Sequence, residues 1–141
     1  MKKLFLYPLC ILIISLPGFA EKKWEIFFTN PQKNKGTGVI NPQDGLILMI
    51  RNSRKNFYGA FYDISSKKIA DELIAAHNRG VDVKLVTEKD TFSGDAITEI
   101  LESGIPVVTD TGPGLMHNKF AIADGSSIFT GSYNTTDNGA F

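Results

Sequence analysis

Residues 57–87 read FYGAFYDISSKKIADELIAAHNRGVDVKLVT, and the change of period along this stretch decides the fold of the chain. Its opening, residues 57–64, is aromatic-rich and alternates as a strand does. Ser65-Ser66 then offers a cap, and Ile69, Ala70, Leu73, Ile74 and Ala76 recur at helical spacing, which predicts a helix over residues 67–78. Arg79-Gly80 ends that helix, because glycine adopts the left-handed conformation that commonly closes one. Residues 81–87 return as a strand with Val81, Val83 and Leu85 on one face. Strand, helix and strand in this order predict an α/β domain.

Working outward, the same pattern repeats downstream. A helix is predicted over residues 93–102, stopped by Ser103-Gly104, with a strand over residues 105–109. Residues 110–114 are a turn-rich break, and strands are then predicted over residues 119–123 and 127–130 around the turn Asp124-Gly125-Ser126. Upstream, residues 24–29 are aromatic and β-branched enough to predict a strand, and residues 30–45 collect loop-forming types. A helix is predicted over residues 45–55, apolar from Leu46 to Ile50 and basic at Arg51, Arg54 and Lys55. The expected architecture is a mixed, largely parallel sheet flanked by helices.

The N-terminus belongs to a different category. Met1-Lys2-Lys3 leads into an apolar run, residues 4–16, and then into Pro17-Gly18-Phe19-Ala20. A basic start, an apolar centre and small residues at Gly18 and Ala20 are the layout of a secretory signal peptide. The run is shorter than the about twenty residues that span a bilayer as a helix, and Pro8 interrupts it. Residues 1–20 are therefore expected to be removed on export to the periplasm or beyond, leaving residues 21–141 as one small domain; a retained anchor is the lesser reading. The only cysteine, Cys10, lies in the leader, so the exported chain has no thiol and no disulfide. Of 15 basic and 15 acidic side chains, Lys2 and Lys3 leave with the leader, so 13 face 15. No global basic field advertises a polyanionic partner.

Chemistry concentrates after the break. His117-Asn118-Lys119 opens one strand, Asp124 stands at the turn, and Gly131-Ser132-Tyr133-Asn134 returns beside the start. Residues two apart in a strand share a face, so His117 and Lys119 can address one group of ligand atoms, as a phosphate diester requires.

His-x-Lys, four residues, Asp, six residues, Gly-Ser-x-Asn is the pattern at His117, Lys119, Asp124, Gly131, Ser132 and Asn134, and in this the chain resembles the phospholipase D superfamily without departure in spacing. The approach from Ile50 to Asp63, and the helix ending in Ala75-Ala76-His77-Asn78-Arg79-Gly80, are similar too. The resemblance implies a phospholipase D-like domain and a two-step displacement with no metal or cofactor. One histidine attacks phosphorus to form a phosphohistidine, and a histidine from a second copy of the motif protonates the leaving alcohol. An imidazole with a pKa of about 6.5 suits both tasks near neutral pH. Lys119, Ser132 and Asn134 would hold the phosphate oxygens. The motif groups Asp124 with the catalytic His117 and Lys119, but a carboxylate at a hairpin turn is also ordinary turn chemistry, and structural support is the weightier reading. Gly131 is expected to serve the backbone beside the phosphate pocket.

The remaining candidates read as ordinary structure. His77 sits in the last turn of a predicted helix, where the helix dipole favours it, and is expected to be structural or solvated. Lys33, Lys35, Arg51, Arg54 and Lys55 are a conceivable phosphate-steering face, though scattered basic residues more often only solubilise. No spacing of His, Cys or carboxylates suggests a metal. The chain holds one motif where the mechanism needs two, and it stops seven residues after Asn134. The second half-site is expected from a homodimer partner, as in small bacterial nucleases of the family, or from a C-terminal half missing from a truncated chain. Phospholipid is the favoured substrate, with headgroup hydrolysis and transfer to alcohols both open. The alternatives are a metal-independent endonuclease on DNA or RNA, which the near-neutral charge disfavours, and a non-catalytic phosphate-binding module.

Overall fold

The computed structural model describes residues 23–29, 41–137 and 139. The predicted leader and residues 30–40 of the predicted loop lie outside them. Three helices, α1 (Pro42–Asn52), α2 (Lys67–Asn78) and α3 (Asp95–Glu102), accompany five strands, β1 (Asn56–Phe61), β2 (Asp82–Thr87), β3 (Val107–Thr109), β4 (Lys119–Ala123) and β5 (Ser127–Thr130). The strands form one mixed sheet in the order β3-β2-β1-β4-β5. Its β1-β2 and β2-β3 pairs are parallel, while β1-β4 and β4-β5 are antiparallel.

The core lies between one face of this sheet and the helices. Phe57, Val83, Leu85, Ala121 and Ala123 point inward from the strands against Leu46 and Ile50 of α1, Ile69 and Leu73 of α2, and Ile97 and Ile100 of α3. Complete burial of a Leu or Ile contributes about 1.5–3 kcal/mol, so the apolar stripe of α2 accounts for much of its hold on the sheet. The opposite sheet face is apolar and open among the described residues: Tyr58, Val86, Val108 and Phe120 line a groove of about 510 Å³.

Several element boundaries differ from expectation for identifiable reasons. α1 starts at Pro42, inside the stretch expected to be loop, because Asn41 and Asp44 form a capping box with Pro42 in the first turn. It stops at Asn52, since Arg54 and Lys55 give their amides to Asp124 instead. Ser66 caps α2 only by position: its hydroxyl accepts from Gln43 Nε2 at 2.9 Å, tying α2 to α1. Gly80, at φ 91°, closes α2 as expected. β1 ends at Phe61, three residues short of the predicted Ile64, which instead makes an isolated parallel bridge with Thr135.

The strand expected over residues 24–29 is not formed. Trp24 (87%), Ile26 (77%) and Phe28 (74%) are exposed, because the segment pairs with no edge of the sheet. Phe27 alone finds apolar surface. Its ring rests on Gly45 of α1, where a Cβ would stand 2.7 Å from the ring, so a larger residue there would push the ring aside.

Candidate active site

The parallel strands β1 and β2 end at the same edge of the sheet at which β4 begins and β5 ends. Parallel strands place their C-terminal ends, and the loops that follow, on one side, which is where open α/β sheets build sites. Lys119 is the first residue of β4, paired across to Phe61 of β1. β5 ends at Thr130 opposite Phe120, and Thr135 bonds to Asp63, Ser65 and Ser66 just past β1, so the segment between them crosses this same edge of the sheet. The residues at 117–119 and 131–134 are therefore neighbours.

Lys119 occupies the last inward position of the row formed with Ala121 and Ala123 and is 7% exposed. Burial lowers its pKa from the usual lysine value. Its ammonium reaches back out of the core to donate to the His117 carbonyl at 3.1 Å and lies 5.3 Å from the centre of the Tyr62 ring. No carboxylate among the described residues pairs with it. The exposed His117 imidazole packs edge-on against the same Tyr62 ring, with centroids 4.8 Å apart and an interplanar angle of 67°. A nucleophile or acid needs such access, and a cation without a carboxylate partner is available to an anionic ligand.

The segment that follows β5 carries the rest of the motif and buries Tyr133 and Thr135 on either side of Asn134. Tyr133 is in the core, edge-on to Phe129, and burial pushes its phenol up to about 12, so it stays neutral at ordinary pH. Thr135 is fully buried: its hydroxyl donates to the Asp63 carbonyl, and its own carbonyl accepts from Ser65 and Ser66 at 3.1 and 2.9 Å. Between these two anchors sits Asn134, whose Oδ1 is buried without a hydrogen-bond partner among the described residues. Gly131 and Ser132 are exposed. The backbone of Asn134 is thus held between two anchored neighbours.

Asp124 lies elsewhere, at the far end of β4 from His117 and Lys119. Seven residues of nearly extended chain, on the order of 20 Å, separate it from His117. Asp124 at φ 54° and Gly125 at φ 66° form the turn, both left-handed as a type I′ hairpin requires. The carboxylate accepts from the amides of Arg54 (2.9 Å), Lys55 (2.7 Å) and Asn56 (3.1 Å). Those backbone bonds, led by Lys55 and Asn56, hold its pKa below the usual aspartate value. It ties the β4-β5 turn to the start of β1.

Three residues that matter here carry no motif. Tyr62 touches both His117 and Lys119. Glu88, 1% exposed at the end of β2, accepts the Met116 amide at 2.6 Å, immediately before His117. Its neighbours secure the same loop: the Thr87 carbonyl accepts from the Asp110 amide at 3.1 Å, and Lys89 donates to the Gly112 carbonyl at 2.9 Å. Thr135 is the third. Only Glu88 stood just past a predicted strand, where site residues of α/β folds gather; Tyr62 fell inside the strand predicted over residues 57–64, and Thr135 five residues beyond the one predicted over 127–130.

The other candidates fall away from this edge. His77 is half-buried at the C-terminal end of α2, near Gly104. Arg51 pairs with Glu72, while Arg54 and Lys55 stand at the Asp124 end. Lys33 and Lys35 lie outside the described residues. Among the described residues no three His, Cys, Asp or Glu side chains gather as a metal site would need, and no helix is long and apolar enough to cross a membrane.

The chain is similar to known proteins. The family model described as "Cardiolipin synthase, PLD-like domain" matches residues 46–140. Over 93 residues the chain is 32% identical to the mitochondrial cardiolipin hydrolase of Xenopus tropicalis, covering 64% of this chain and 44% of that protein. A phospholipase D of Rickettsia typhi is 31% identical over 93 residues, 64% of this chain and 46% of its own. The matched stretch thus covers less than half of these curated relatives. Among solved structures, the phospholipase D family member Nuc from Salmonella typhimurium superposes with a TM-score of 0.63 at 32% identity, over 67% of this chain and 64% of that one. The family match contains both strand–helix–strand units and every motif residue from His117 to Asn134, and the chain belongs to the phospholipase D superfamily of phosphodiesterases through its PLD-like domain.

Proposed function

We propose that the chain supplies one catalytic half-site of an exported phospholipase D-type enzyme that hydrolyses phospholipid headgroups through a covalent phosphohistidine on His117. The observation that carries this reading is the convergence of His117 and Lys119 on one aromatic ring at the open edge of the sheet, beside the returning Gly131-Ser132-Tyr133-Asn134. In this reading the His117 imidazole attacks phosphorus as the P–O bond to the leaving alcohol breaks. A protonated histidine of the second half-site gives that alcohol its proton. Water then attacks the phosphohistidine, giving a proton to the now neutral histidine of the second half-site; the P–N bond breaks, and the phosphoryl product leaves. Lys119 and Asn134 offset the charge gathering on the non-bridging oxygens, and Ser132 contributes a further donor. Phospholipid is favoured by the near-neutral charge, since capture of a nucleic-acid backbone ordinarily relies on a basic surface, and by the printed names of the curated relatives. The second half-site comes from another copy of the chain or from a C-terminal half.

The test is turnover of a chromogenic phosphate diester in chelator by the purified protein and by His117→Ala, with phospholipid vesicles and single-stranded DNA as competing substrates. Turnover that vanishes in the variant, with vesicles preferred, is the expected result. Turnover surviving His117→Ala, or abolished by chelator and restored by a divalent metal, would remove the phosphohistidine mechanism. Preference for DNA would move the activity to nucleic acid. Binding of phosphodiesters without turnover, unchanged in His117→Ala, would make the chain a binding module.

A further inference from the structure

The geometry points to Tyr62 as a positioning residue whose ring sets the orientation of the His117 imidazole and the seat of the Lys119 ammonium. Tyr62 stands just past β1 and is itself tightly placed. Its amide donates to the Asn118 carbonyl at 2.8 Å, and its carbonyl accepts from the hydroxyls of Thr91 at 2.5 Å and Thr87 at 3.3 Å. These bonds fasten it to the lead-in of β4 on one side and to the end of β2 on the other. The backbone that presents the ring therefore belongs to the sheet, whereas the two side chains it touches begin where the regular strand gives out.

Each contact has a distinct physical consequence. An exposed histidine has several open rotamers, and among the described residues no side chain hydrogen-bonds the His117 ring. The Tyr62 ring, edge-to-face at 4.8 Å, is in the range where aromatic pairs attract, and it blocks part of the imidazole's rotational space. Lys119 enters the core without a carboxylate partner, and the negative face of the same ring lies 5.3 Å from its ammonium, within cation–π range. One rigid side chain thereby sets the relative position of a nucleophile and a phosphate-binding cation. In-line attack depends on that relation, because a small misplacement of reacting groups lowers the rate sharply.

This inference rests on the proposed roles of His117 and Lys119, and its test separates the two ideas. Tyr62→Phe keeps the ring and removes the hydroxyl; Tyr62→Leu removes the ring. The first readout needs no turnover: histidine ring resonances by NMR, with His77 at the far end of α2 as the internal reference. In Tyr62→Leu the His117 resonances are expected to move while those of His77 stay, and in Tyr62→Phe both stay near wild type. The second readout is diester hydrolysis, where Tyr62→Leu is expected to lower kcat about fivefold with KM within about twofold, and Tyr62→Phe to restore it. Thermal melts show that each variant folds. Unmoved His117 resonances in folded Tyr62→Leu would overturn the proposal, as would a Tyr62→Phe variant as impaired as Tyr62→Leu. Loss of turnover in His117→Ala is read separately and bears only on the function.

Discussion

The two ends of strand β4 carry the two halves of one motif, and they are built on opposite principles. At the Asp124 end a carboxylate accepts from three consecutive backbone amides and sits in a left-handed turn that few residues tolerate. At the His117 end the polar groups are left uncommitted. The imidazole meets only an aromatic edge, and the ammonium has a carbonyl and a ring for partners. Polar groups that are saturated by the fold hold structure, while groups held in place with spare capacity are available to a ligand. A shared motif thus contains residues of two kinds.

If this division is right, substitutions at the two ends separate activity from stability. His117→Ala is expected to lower diester turnover about a thousandfold or more, with an unchanged melting temperature, because its exposed side chain supports nothing else. Lys119→Met is expected to lower turnover about a hundredfold, the scale of losing one transition-state donor, without lowering the melting temperature. The second half of that expectation follows from burial, which disfavours the lysine charge and suits methionine. A clear fall in melting temperature would show that the lysine also holds the fold.

Between the extremes lies Glu88. Glu88→Ala leaves the Met116 amide without its acceptor and is expected to lower turnover about tenfold by loosening the backbone before His117, with Glu88→Gln recovering most of it. Equal losses in both variants would mean that the charge matters rather than the hydrogen bond.

Asp124→Asn is expected to change turnover per folded molecule by less than about twofold while lowering the melting temperature. Its pH dependence sharpens the contrast. The pKa of Asp124 is depressed in the folded chain, so its stabilisation is complete above the ordinary carboxylate value of about 3.9 and is lost as pH falls from there through the folded value. Melts between neutral and strongly acid pH should therefore converge for the wild type and Asp124→Asn. A large loss of turnover in a folded Asp124 variant would break the comparison outright.

Where local chemistry dominates, the sequence was legible. The spacing of Ile69, Ala70, Leu73 and Ala76 placed α2, and the alternation around Asp124-Gly125 placed β4 and β5, because period and turn type are properties of neighbours along the chain. Residues 24–29 misled because a strand needs an edge to pair with, and no local pattern says whether one is free. The start of α1 misled because Asn41-Pro42 serves a loop and a helix cap equally well, and the choice turns on whether Asp44 closes the box.

By itself, then, the sequence determined the order of elements from α1 onward, the motif and the kinship with phospholipase D. Tertiary structure alone decided which motif residues meet. It brought Tyr62 and Glu88, 55 and 29 residues before His117, to the mouth of the site. The reason is physical: spacing along one strand governs which face a residue shares, but contacts between the ends of different strands depend on sheet order and register, which no single segment encodes.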